Sequence, residues 1–279
     1  MTKNICHRLL LSLSVLLMIS GCSTSTEPQI SLETSQNELK VGQPVEMTFS
    51  ITDQQGRPTQ KLMISHERIL HVVVIGEDFE EFFHIHPEDL GPITEDMKRA
   101  ARFTTRFTPQ KAGRYLVSTD FAHQNGHTSK TFQITVDGEP AMTPPSEDFS
   151  AYQSVDGYEI TLTSHEPFET GKNNSLHFNI FQNQQNVTDL EPYLGAAMHV
   201  AIVRKDFQHF IHTHGMPHQD EEMDHVMDHS MEHHTMLPDQ FGPELEAEVV
   251  FPTAGTYHVF AEFKHLGKTV VTHFQIPVK

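Results

Sequence analysis

Two stretches decide the fold. The first is Ile69-Leu70-His71-Val72-Val73-Val74-Ile75-Gly76-Glu77-Asp78-Phe79-Glu80-Glu81-Phe82-Phe83-His84-Ile85-His86. The second is Ala197-Met198-His199-Val200-Ala201-Ile202-Val203-Arg204-Lys205-Asp206-Phe207-Gln208-His209-Phe210-Ile211-His212-Thr213-His214. They align without a gap, and every histidine of the first has a counterpart in the second, so the chain is an internal duplication. In each, an apolar run, a turn-forming segment and a second run ending in His-x-His describe a β-hairpin.

The likeness extends outward. Gly42, Phe49 and Ile51 align with Gly171, Phe178 and Ile180, and the Ala112-Gly113-Arg114-Tyr115 segment with Ala254-Gly255-Thr256-Tyr257. Asp120-Phe121-Ala122-His123 aligns with Glu262-Phe263-Lys264-His265. Candidate strands fall at 45–52, 69–75, 80–86, 101–108, 114–121 and 129–136 in one half. The other half offers 158–164, 175–182, 197–203, 207–213, 244–251, 256–263 and 269–276. Short strands, turn residues between them and no long helical period predict an all-β chain with two tandem immunoglobulin-like β-sandwich domains, 30–137 and 150–279. The Pro/Gly-rich segment 138–149 is the expected linker.

The N-terminus sets the compartment. Lys3 and Arg8 precede the apolar run Leu9–Ile19, which has the layout of a signal peptide over 1–21. Ile19-Ser20-Gly21-Cys22 resembles a bacterial lipobox, which implies lipidation (palmitate among the acyl groups) at Cys22, with 22–29 as a tether. The alternative is an ordinary secretory peptide with a chance cysteine. The expected localisation is extracytoplasmic, anchored to the cell membrane by lipid. With Cys6 removed and Cys22 modified, thiol catalysis and thiolate metal sites are excluded. Loss of Lys3 and Arg8 takes the formal charge of −18 to about −20, which argues against nucleic acid as a partner.

The 21 histidines are the composition's anomaly. Folding the first hairpin at Gly76-Glu77-Asp78 sets His71 opposite His84, with residue numbers summing to about 155. His86 points the same way as His84, because side chains alternate along a strand. His199, His212 and His214 gather likewise. His123 and His265 follow the inward parity of Tyr115, Val117 and Phe121, or of Tyr257, Val259 and Phe263, as candidate fourth ligands. Asp120 and Glu262 have the opposite parity and are expected to be solvated surface acids. Three or four imidazoles on rigid strands suit copper or zinc, one site per domain. The plainer possibility is edge-strand histidines bonded to one another and kept by common ancestry.

The copies differ after His-x-His. Forty residues separate His214 from Ala254, against 26 between His86 and Ala112. The extra segment, 215–236, repeats Met-acid-His and supplies Met223, His225, Met227, His229, Met231, His233, His234 and Met236 as further candidate ligands. Thioethers select Cu(I), and imidazole takes either copper state. An amphipathic helix with a buried Met223/Met227/Met231 stripe is the alternative, although Pro217 and Pro238 bracket the segment and few other apolar residues support the stripe.

With His71…Asp78-Phe79…Phe82…His84-x-His86-Pro87 and Ala112-Gly113-x-Tyr115, the chain resembles bacterial YtkA-like secreted lipoproteins, which implies an extracytoplasmic immunoglobulin-like fold. The 215–236 loop is similar to Met/His-rich segments of copper-resistance proteins, which implies copper binding or transfer. The expectation is a non-enzymatic copper-binding lipoprotein with a copper transporter or cuproprotein as partner. The rivals are a structural or adhesive surface module and, more remotely, a three-histidine metalloenzyme. Glu81 faces His209 in the alignment and so offers no acid/base residue common to both copies.

Overall fold

The computed structural model describes residues 27–139, 147–218 and 237–279. Cys22, the signal peptide, most of the linker, and every candidate ligand from Met223 to Met236 lie outside the described residues. Among the described residues no helix is long and apolar enough to cross a membrane.

The first domain runs β1 (Gln29–Thr34), β2 (Leu39–Lys40), β3 (Val45–Thr52), β4 (Leu62–Met63), β5 (His71–Gly76), β6 (Phe82–Ile85), α1 (Glu95–Ala100), β7 (Arg102–Phe107), β8 (Gly113–His123) and β9 (Gly126–Asp137). One sheet is β1-β3-β7 and the facing sheet is β2-β9-β8-β5-β6, with β4 added to β8. The second domain runs β10 (Tyr152–Val155), β11 (Tyr158–Thr163), β12 (Asn173–Gln182), β13 (Gln185–Asn186), β14 (Met198–Arg204), β15 (Phe210–Pro217), β16 (Glu244–Val250), β17 (Gly255–His265) and β18 (Lys268–Val278). Here Gly215–Pro217 carry β15 beyond its hairpin to pair with Ala247, Glu246 and Leu245 of β16, joining both sheets into one. The predicted loop thus begins inside a strand.

The all-β, two-domain, immunoglobulin-like expectation holds. Alternation builds each core: Val45, Met47, Phe49 and Ile51 of β3 are fully buried while their neighbours are not. The short β2 pairs parallel to β9, as an edge strand switching sheets does. Tyr115 and Tyr257, near the starts of β8 and β17, donate their hydroxyls to the carbonyls of Lys111 and Thr253, each at 2.8 Å, the tyrosine corner of such sandwiches. Glu81 has a structural role in this corner: it accepts from the Gln110 and Lys111 amides and from the Tyr115 hydroxyl.

The sheets that carry the hairpins are covered on both faces, which explains why β5 is buried at all six positions. Val72 and Val74 face the first domain's own core, and Val200 and Ile202 face that of the second. Their alternates Val73 and Ile75 meet Ala201 and Val203 in a separate apolar cluster, completed by Phe79, Leu116, Phe207 and Phe260. Each domain gives four residues to this cluster, and Phe79 packs edge-on against its counterpart Phe207. The duplicated domains therefore meet face to face through equivalent surfaces, as the halves of a two-fold dimer do. His71 shares the parity of Val73 and Ile75, and His199 that of Ala201 and Val203. Both histidines belong to the face between the domains.

Candidate metal centre between the domains

The hairpin register places Val73 opposite His84 and Val72 opposite Ile85, so paired numbers sum to 157 rather than 155. A shift of two residues leaves every side chain on its face, and the expected trio still converges. His86 Nε2 lies 3.2 Å from both His71 Nδ1 and His84 Nε2, which are themselves 3.2 Å apart. Nitrogens held 2.0–2.1 Å from a tetrahedral ion would stand about 3.3–3.4 Å apart, so the spacing fits a metal such as copper or zinc.

The outer ring nitrogens fix which atoms face inward. His71 Nε2 lies 3.1 Å from the Ser65 carbonyl, which can only accept, so this nitrogen carries the proton and Nδ1 is a bare lone pair. The ring is neutral, because burial and then the charges of His212, His84 and His86 push its pKa down to about 2. His84 Nδ1 sits 2.5 Å from a carboxylate oxygen of Glu262 in the other domain. When that carboxylate is ionised it accepts from Nδ1, leaving His84 Nε2 bare as well. Two lone pairs then face each other at 3.2 Å, and a proton on His86 Nε2 can satisfy only one of them. A cation at the centre would satisfy all three.

The second trio repeats the plan. His199 Nε2 donates to the Tyr193 carbonyl at 3.1 Å, and His199 Nδ1 faces His212 Nε2 at 3.4 Å. His214 packs against both, with ring centroids 4.6 and 4.7 Å away. The trios, one from each domain, adjoin across the interface rather than forming two separate centres. His71, His84, His199 and His212 each offer a ring nitrogen within 4.8 Å of the others, and the His84 and His212 side chains are only 1% and 3% exposed. Burial, then neighbouring imidazoles, also holds His84, His199 and His214 below the ordinary histidine range, the neutral form a metal requires.

Three expectations are corrected. His123 and His265 stay outside the cluster: His123 bonds Thr128 Oγ1 at 2.9 Å within its own hairpin, and His265 bonds the Tyr158 hydroxyl and Asp189. Their inward parity leads into each sandwich, away from the shared face. Asp120 and Glu262 are not solvated acids, because their outward parity is the face covered by the other domain. Glu262 reaches His84, and Asp120 lies 3.7 Å from His212 Nδ1. Glu262 is pushed up by burial to about 8, whereas Asp120, which burial would raise, is held below the usual range by His212. Finally, the second trio does not form an independent centre.

The sequence reading missed His66. It occupies a tight turn, Ser65–Arg68, with φ of 47°, and its ring stacks on His214 at 3.7 Å. The matching turn, Tyr193–Ala196, has Leu194 and Gly195 at the corner, so comparing the copies could not have flagged it. A groove lined by Met63, Ser65, His66, His123, His127 and Gly195 leads from the surface to this ring.

A search of curated protein sequences returns no match. Among solved structures, the Escherichia coli adhesin FdeC matches at 12% identity and a TM-score of 0.25, over 91% of this chain and 65% of its own. The Yersinia pseudotuberculosis adhesin InvE matches at 10% and 0.24, over 88% and 58%, so the chain spans under two thirds of either protein. Domains 4 and 5 of the S-layer protein SbsC match at 10% and 0.22, over 90% and 97%. Likeness at these scores carries no argument about activity. The family model "Domain of unknown function (DUF8832)" matches twice, at residues 24–138 and 153–279, so the chain belongs to that family and carries two copies of its domain.

Proposed function

We propose that the protein is a non-enzymatic metal-binding module that holds copper at the centre shared by its two domains, with zinc as the competing ion. The observation that carries this reading is the inward set of His71 Nδ1, His84 Nε2 and His86 Nε2 at 3.2 Å spacing, oriented by Ser65 and Glu262. Buried imidazoles oriented by carbonyl and carboxylate acceptors are the arrangement that tunes metal ligands. All-imidazole ligation suits either copper state, and the Met/His-rich sequence of 219–236 favours copper. A lipid anchor on Cys22 would place the module at the outer face of a membrane, where a copper transporter or cuproprotein is the expected partner. Burial of the ligands favours storage or handover over turnover.

Thermal unfolding of the chain from Ser23 onward, with and without copper in excess over the protein, tests this. Copper at about a hundred times its dissociation constant should stabilise the fold by about 2.7 kcal/mol. His84→Ala should lose that gain. An unchanged melting temperature in the wild type would instead favour a structural or adhesive surface module. That reading draws on histidines such as His258, which lies between Phe79 and His273 as ordinary packing.

A further inference from the structure

Away from the interface, three strands of the second domain bring together a second set of ligands. His177 on β12, Glu246 on β16 and His218, just past the end of β15, each present a ligand atom within 4.8 Å of the others. Glu246 spans the pair, with Oε2 3.3 Å from His218 Nδ1 and Oε1 3.8 Å from His177 Nε2. That His177 nitrogen is buried and has no hydrogen-bond partner, so a polar atom aimed at the carboxylate is left unsatisfied. Side-chain exposures of 20%, 29% and 35% for His177, Glu246 and His218 bring the group to the surface of the domain, although the His177 nitrogen itself is covered.

We propose that His177, His218 and Glu246 form a solvent-accessible site for a divalent ion, Zn(II) or Cu(II). Two imidazoles and a carboxylate with open positions suit a hard or borderline divalent ion and offer nothing that selects Cu(I). The strands fix His177 and Glu246 as neighbours: Glu246 is the direct cross-strand partner of His177, and β15 reaches this face only because Gly215–Pro217 extend it along β16. The first domain has no equivalent, since its corresponding hairpin strand ends at Ile85. A surface site with a carboxylate exchanges its ion with solvent more readily than a buried imidazole cluster, so this face of the second domain is suited to taking up ions.

Diethylpyrocarbonate labelling read by peptide mass spectrometry, on the full mature chain with and without Zn(II), tests the site directly. Zn(II) at about ten times its dissociation constant should slow modification of both His177 and His218 about tenfold. Glu246→Gln keeps the size and shape of a partly exposed side chain on a strand paired on both sides, so it should abolish that protection without altering the fold. Unchanged labelling of either histidine, or equal protection in Glu246→Gln, would overturn the proposal. Because the buried cluster does not label, failure of the interdomain centre would leave this result unaffected.

Discussion

The two halves of the interdomain cluster share a plan but differ in closure. In the first, all three inward contacts are 3.2 Å, and His84 is held by Glu262 at 2.5 Å. In the second, His199 and His212 stand 3.4 Å apart, Asp120 stops 3.7 Å from His212, and His212 Nδ1 and His214 Nε2 have no hydrogen-bond partner. The acids occupy equivalent positions, and aspartate is one methylene shorter than glutamate. The shorter acid accompanies the more open half, so under the proposed reading the tighter half should dominate ion binding.

Breaking the interface should affect both halves at once. Phe79 stacks on His258 at 3.4 Å and meets Phe207 edge-on, so Phe79→Ala should cost about 3 kcal/mol in denaturant unfolding and weaken both half-sites. Losing His84 should lower copper affinity in competition titration by more than about a hundredfold, since outer-shell losses alone reach 10–100-fold. His212→Ala should cost less. Glu262→Ala should fall within that 10–100-fold range and Asp120→Ala near or below its lower end. Equal effects of the two acids would erase the distinction between the halves.

Acidity sharpens the comparison. Glu262, raised to about 8, holds a proton at neutral pH in the metal-free protein and must lose it to orient His84 for a cation. Copper binding at pH 7 should therefore release about one proton in calorimetry across buffers of different ionisation enthalpy. Affinity should rise about tenfold per pH unit up to about 8 and then level off. Metal-free stability follows the opposite balance. His258 and His273, depressed by burial to about 3 and 4, remain neutral when the unfolded chain's histidines protonate near 6.5, so stability falls as pH drops below that value. The raised Glu262 binds its proton more tightly folded than unfolded, so its contribution is lost as pH rises from 4.5 to about 8, and above about 6.5, where the two histidines no longer titrate in either state, stability falls. A stability maximum near pH 6.5 is the expected outcome.

The histidine trios were legible because period-two alternation fixes a face whatever the register, and even a two-residue error in pairing preserved it. The acids were not legible, because an outward parity reads as solvent until something covers the sheet. The sequence did hold a signal of that cover: Val73, Ile75, Ala201 and Val203 make both faces of β5 and β14 apolar, which a one-sided sandwich strand does not require. His66 and the His177/His218/Glu246 group occur in one copy only and depend on a turn and a strand extension that no repeat advertises.

Anomalous diffraction from crystals of the copper-loaded chain from Ser23 onward tests the central claim most directly. The account predicts a copper peak between the domains, ligated by His71, His84 and His86 and bordered by His199 and His212. Separate peaks within each sandwich beside His123 and His265, or no peak at the interface, would contradict it.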